Sequence, residues 1–256
     1  MTAYHFTNPV ALLFLVDGPF RPRRHPGLPH HVTQRGNRRQ PIFFADGDYA
    51  VYRDLLGKCA RKAQVEVWAY CLMPNHVHLI LTPRCEDGLR RAVGETHRRY
   101  TAFVNARARW TGHLFQSRFA SVVMDEGHLL AAARYVSLNP VRARLVARAE
   151  DWPWSSVRAH ITGKDDGLVA VRPLLDRVPD FAALIAVSEL EEDRAAFDAI
   201  RSAEGTGCPL GGRAFIQDLE RRLARPLAPR KPGRAPKVLE ADEPGAFQAE
   251  LFSRDE

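Results

Sequence analysis

The sequence predicts an α+β fold: a ferredoxin-like split βαβ with an antiparallel sheet and helices on one face. An added helix and a mostly helical C-terminal extension follow it. Three observations carry this. Short β-rich runs recur at Leu28 to Gln34, Val65 to Leu72, His76 to Thr82 and Leu114 to Met124. Helical stretches, Asp46 to Ala63 and Glu86 to Arg109, separate the first run from the second and the third from the fourth. Pro74-Asn75 divides the second run from the third, which is hairpin chemistry.

Each element follows from its residues. The apolar run within residues 1–20 (ALLFLV) is too short to span a bilayer, and it lacks a basic n-region and a small-residue cleavage site. It reads as a loosely ordered extension. The first strand ends in the basic turn Arg35-Gly36-Asn37-Arg38-Arg39. In the first helix Tyr49, Tyr52, Leu55, Leu56 and Cys59 recur at helical spacing behind Asp46 as N-cap. The stretch from Glu86 to Arg109 reads as one long basic helix. A further helix, Glu126 to Leu138, is expected to stop near Asn139-Pro140, because proline disfavours helical geometry in the residue before it.

Beyond Trp152-Pro153-Trp154 the β signal fades, and Phe181 to Ala203 and Gly212 to Arg225 read as helices. This divides the chain into an extension (1–20), a main domain (21–163), a helical region (164–225) and a basic tail (226–256). The tail is rich in proline and reads as disordered.

The formal net charge is +7 over 256 residues, which favours a polyanionic partner through counterion release. Cys59, Cys71, Cys85 and Cys208 show no CxxC spacing, which argues against a zinc knuckle and a disulfide framework and fits a reducing cytoplasm.

Chemistry concentrates in two segments. In Pro74-Asn75-His76-Val77-His78, residues two apart on a strand share a face, so His76 and His78 present parallel imidazoles. That is half of a metal site, or two histidines on a polar sheet face. In Arg134-Tyr135-Val136-Ser137-Leu138-Asn139-Pro140, Tyr135 and Asn139 lie four apart on one helical face. Tyrosine beside a metal can attack a phosphodiester, and an Asn carbonyl oxygen suits Mg²⁺ or Mn²⁺. The plainer reading makes Tyr135 a packed aromatic and Asn139 a helix cap. Tyr100, in His97-Arg98-Arg99-Tyr100, is the competing nucleophile; its alternative is packing against Phe103.

Arg35, Arg38, Arg39, Arg90, Arg91, Arg98 and Arg99 are candidate phosphate contacts, each also explicable as a solvated surface charge. His113 to Phe119 places Arg118 among aromatics, which suits stacking on unpaired bases or an ordinary half-buried strand. Arg221, Arg222, Arg225, Arg230, Lys231, Arg234 and Lys237 form a second basic element, either an arm on DNA or a solubility tail.

Five landmarks occur in order: HHVTQRGNRRQPIF, WAYCLMPNHVHLIL, GHLFQSRF, ARYVSLNPVRARLV and DWPWSS. Together they resemble the HUH-type tyrosine transposases of the IS200/IS605 group, and more closely their single-copy relatives associated with repetitive extragenic palindromes (REP). The resemblance runs from about Pro29 to Ala159. It implies one divalent ion, Mg²⁺ or Mn²⁺, held by His76, His78 and Asn139, with Tyr135 as nucleophile on the added helix. The implied activity is nicking and rejoining of single-stranded hairpin or palindromic DNA through a 5′-phosphotyrosine, by a monomer or homodimer in the cytoplasm at the nucleoid. The alternative is a catalytically inactive, domesticated DNA-binding protein. A third possibility is a nuclease that cuts with water and has no use for Tyr135.

Overall fold

The computed structural model describes residues 25–186, 191–224 and 226–227. The extension at 1–20 and nearly all of the tail at 226–256 lie outside the described residues. Four strands form one antiparallel sheet: β1 (His30–Arg35), β2 (Val65–Met73), β3 (His76–Pro83) and β4 (Ala120–Val123). Their order, β2-β3-β1-β4, is the ferredoxin-like one.

Alternation on β3 sorts the two faces. Val77, Leu79 and Leu81 are buried on one face, while Ile80 joins a separate core on the other. On β2 a bulge between Val67 and Ala69 resets the phase. Val65 and Val67, then Tyr70 and Leu72, can therefore share the first core although their spacing breaks the two-residue period.

The first face is covered by α1 (Asp46–Ala63) and α2 (Glu95–Ala108), through Tyr52, Leu56, Tyr100 and Val104. A π-helical turn, Arg90–Gly94, leads into α2, so the long basic helix is one helical run with an irregular first part. The N-cap of α1 is Ala45 rather than Asp46. The buried Asp48 carboxylate does the capping, accepting from the backbone of Phe44 at 2.8 Å and Ala45 at 3.2 Å, and it pairs with Arg107.

The second face carries α3 (Glu126–Arg142), seated close to the sheet through the small residues Ala132 and Ala133. Asp125 caps it by accepting from the His128 amide at 3.0 Å. The expectation that this helix stops before Pro140 is wrong. A proline removes one amide donor, and the helix continues past it to Arg142, where the Ala143 amide donates to the Asn139 carbonyl at 2.9 Å. Asn139 is therefore inside the helix, not its cap.

The fourth strand is also shorter than the run from Leu114 suggests. Residues 114–119 instead form a strap over the end of β1, where the Asn37 amide donates to Leu114 at 2.8 Å and that of Gln116 to Arg35 at 3.0 Å.

After α3 come α4 (Val157–Thr162), α5 (Arg172–Leu175), α6 (Phe181–Ala186), α7 (Glu191–Thr206) and α8 (Arg213–Leu223). Leu174, Phe181, Phe197 and Ile200 join Met73, Ile80 and Leu129 in the second core. Helices added to the split βαβ thus cover the face that α1 and α2 leave bare. The Trp152-Pro-Trp-Ser-Ser segment seals the free edge of β2. The Leu72 amide donates to the Trp154 carbonyl at 2.9 Å, and the Ser156 amide to the Tyr70 carbonyl at 3.0 Å. Among the described residues no helix is long and apolar enough to cross a membrane.

Candidate active site

The site lies where β3 begins, beneath α3 and α7. His76 and His78 stand on the second face with ring centroids 4.9 Å apart, but their planes cross at 83°, so the imidazoles share a face without being parallel as alternation alone suggests. The Asn75 amide group donates to the Arg39 carbonyl at 3.0 Å, which aims its side-chain oxygen at His76 Nδ1, 2.5 Å away. An amide oxygen only accepts, so His76 carries its proton on Nδ1 and leaves Nε2 with a lone pair. Burial, followed by the nearby Arg35, holds His76 down at about 4. Burial and the neighbouring cationic groups hold His78 well below its usual range. Both imidazoles are therefore neutral at pH 7, the form that binds metal.

Tyr135 approaches from α3. Its ring lies 5.5 Å from that of His78, nearly perpendicular to it. Asn139 stands one turn on, half-buried, and lines the same groove as His76, His78 and Tyr135. Tyr135 is only 6% exposed, covered by Phe197 at 5.2 Å, and the Arg142 guanidinium lies 5.1 Å over its ring. Burial raises the Tyr135 pKa and the Glu204 carboxylate adds to the rise, against Arg142, Arg201 and Arg35. The phenol is thus protonated at neutral pH and needs a cation to ionise it.

Tyr100 lies on the opposite face of the sheet. Its hydroxyl donates to the Ile42 carbonyl at 2.7 Å in the core shared with Tyr52 and Phe43. Packing accounts for it.

Two residues absent from the sequence reading converge on His78. His31, on β1, has Nε2 3.0 Å from His78 Nδ1, and the rings are parallel to within 4°. Glu204, on α7, has Oε1 3.8 Å from His78 Nδ1 and 3.9 Å from His31 Nδ1. Among the described residues, these three side chains form the His, Cys, Asp and Glu cluster able to hold an ion. Alternation along HHVTQR could have put His31 on this face. Glu204 follows 126 residues after His78 in a helix without a motif, and no sequence signal marks it.

The donor set fits one divalent cation. Two neutral imidazoles and the Asn139 carbonyl oxygen supply borderline and hard ligands.

The predicted arginines frame the groove unevenly. Arg35 pairs in register with His76 across the sheet, and Arg90, Arg98 and Arg118 line the groove. Arg38, Arg39, Arg91 and Arg99 are exposed outside that lining. Arg90 pairs with Asp87 at 3.2 Å, and Arg98 and Arg99 share Glu95 at 2.8 and 2.6 Å. Arg38 and Arg39 adopt left-handed φ of 52° and 61°, in a turn anchored by Gly36. A Cβ on Gly36 would meet the Gln40 carbonyl oxygen at 2.1 Å, so glycine is required there. Phe115 is buried against His97 at 4.3 Å, so its ring serves the core and not a stacking platform.

Residues 26–139 match the family described as "Transposase IS200 like". This segment is similar to the IS200-like transposases. A relative, the REP-associated tyrosine transposase of Escherichia coli (strain K12), is 24% identical over 47% of this chain and 70% of its own length. The solved structure of a REP-associated tyrosine transposase bound to a REP hairpin is 22% identical. It covers 60% of this chain and 89% of that one with a TM-score of 0.50, and shares the fold. The matched segment ends at Asn139, so Glu204 and the helices around it lie beyond it.

Proposed function

We propose that the protein is a metal-dependent endonuclease and strand transferase for single-stranded hairpin or palindromic repeat DNA, with Tyr135 as nucleophile. The observation that carries this is the meeting of Tyr135, His76, His78 and Asn139 in one groove edged by arginines. A divalent ion, Mg²⁺ or Mn²⁺, held by His76, His78 and Asn139 would neutralise charge on the scissile phosphate and assist departure of the 3′ oxygen.

The chain's own groups do the rest. Tyr135 Oη attacks phosphorus in line, the bond from phosphorus to the 3′ oxygen breaks, and that oxygen leaves as a 3′-hydroxyl. The 5′ phosphate stays on Tyr135 as a diester, so the bond energy is kept for rejoining to another 3′-hydroxyl. Arg142 and Arg201 lower the cost of ionising Tyr135. Arg35, Arg90, Arg98 and Arg118 hold the DNA backbone. The relative bound to a REP hairpin supports hairpin DNA as substrate. We place the protein in the cytoplasm at the nucleoid, as monomer or homodimer.

The cover over Tyr135 favours a second reading, a domesticated protein that binds such DNA without cutting it. One experiment separates them. Labelled hairpin DNA from repeats flanking the gene is incubated with Mn²⁺ or Mg²⁺ and run on a denaturing gel. A covalent adduct that disappears with chelator and with Tyr135→Phe establishes strand transfer. Tight binding without an adduct establishes the second reading, and cleavage that survives Tyr135→Phe establishes hydrolysis by water.

A further inference from the structure

The carboxylate of Glu204 and the imidazole of His31 have no part in the scheme above, yet both stand beside His78, His31 buried and Glu204 on the groove wall. Glu204 Oε1 and His31 Nδ1 are buried atoms with no hydrogen-bond partner among the described residues; they lie 3.9 Å apart, just beyond hydrogen-bond reach, and the same oxygen is 3.8 Å from His78 Nδ1. Buried polar atoms without a partner are costly, and two that lie this close are relieved by a small side-chain shift that pairs them. In its ionised form Glu204 can only accept, so the pairing with that form puts the His31 proton on Nδ1 and leaves Nε2 as acceptor. His78 Nδ1, 3.0 Å from that Nε2, must then be the donor, which leaves the lone pair of His78 on Nε2.

We propose that Glu204 and His31 form a positioning relay that fixes His78 as the Nδ1–H tautomer, with Nε2 presented to the metal. The inference rests on the metal reading above. It gives His78 the support that Asn75 gives His76: in each case a neighbouring acceptor holds the Nδ1 proton. Outer partners of this kind orient metal-ligating histidines and raise their basicity. The two supports differ in origin. Asn75 sits beside its ligand in the hairpin, whereas Glu204 comes from α7, beyond the segment matched to the transposase family. Metal affinity is thereby tied to the docking of the C-terminal helices, which Phe197 and Ile200 seat on the second face.

A direct ligand role for Glu204 is the competing arrangement. It would draw a metal between His31 and His78 on the Nδ1 side of His78.

The test uses the full chain with Mn²⁺ as probe, its binding followed by electron paramagnetic resonance. Nitrogen-15 NMR of the metal-free protein reports histidine tautomers. Wild type is expected to show His78 protonated on Nδ1, and Glu204→Ala and His31→Ala to weaken Mn²⁺ binding by about 10–100-fold. Glu204→Gln should restore most of the loss seen in Glu204→Ala, since the amide oxygen still accepts from His31. His76→Ala is the reference. If it loses Mn²⁺ while the other variants bind like wild type, the relay is wrong and the metal site stands. If His76→Ala also binds like wild type, the metal reading itself fails. Protonation of His78 on Nε2 overturns the relay. So does a second bound ion that is lost in Glu204→Gln, which would make the cluster a metal site of its own. Should His31→Ala not fold, the Glu204→Ala and Glu204→Gln pair decides.

Discussion

Tyr135 and Asn139 share one face of α3, one turn apart, because Pro140 lies within that helix instead of ending it. The side chain of Asn139 is thus spared from capping and lines the groove with Tyr135. Asn139→Ala should lower Mn²⁺ affinity, with the helix intact by circular dichroism, while Tyr135→Phe should abolish the adduct and leave metal binding unchanged. Equal loss of metal in both variants would count against separate roles.

Tyr100→Phe should keep full adduct formation. It removes a hydroxyl that donates to the Ile42 carbonyl at 2.7 Å, so thermal unfolding should show a loss of about 1 kcal/mol. An adduct lost in this variant would move the nucleophile to the other face of the sheet.

Arg38 and Arg39 hold left-handed backbone beside the site, a strain of about 1–2 kcal/mol each. Arg38→Gly should raise the unfolding midpoint and leave hairpin binding nearly unchanged, since Arg38 lies outside the groove lining. Arg118→Ala should weaken binding without stabilising the protein, and lower the salt dependence by about one phosphate contact. Fluorescence anisotropy across a salt series reads both.

His97 is buried between Tyr52, whose hydroxyl is 2.9 Å away, and Phe115, and burial depresses its pKa to about 3. The unfolded chain gains this proton near pH 6.5 and the folded one does not until about pH 3. Between those values the unfolded state binds more protons, so stability is retained above pH 6.5 and declines as pH falls. The slope for one group is about 1.4 kcal/mol per pH unit. His97→Gln should flatten the decline between pH 6.5 and 4, measured by denaturant unfolding. An unchanged slope would place the proton uptake on other groups.

Phe197→Ala removes a fully buried ring that contacts Tyr135 and receives Arg142 at 4.8 Å. The expected cost is about 3–5 kcal/mol. Hydrogen exchange should rise in α7 first, since α7 meets the domain through this core.

The strand and helix order, the pairing of His76 with His78 and the spacing of Tyr135 from Asn139 were readable from sequence. All are local periods of two or about four residues, which side-chain direction alone dictates. The strap at residues 114–119 was misread as strand because its buried aromatics look alike in either setting. The run of α3 through Pro140 was missed because the rule for the residue before proline is a tendency, overcome here where only one amide bond is lost.

Which atoms face which across the chain was decided by tertiary structure alone. No pattern in the sequence brings Glu204 beneath His31 and His78, or puts Tyr100 on the far side of the sheet from them. Those outcomes depend on how helices dock on the two faces of a sheet, which is set by the packing of residues far apart in the chain.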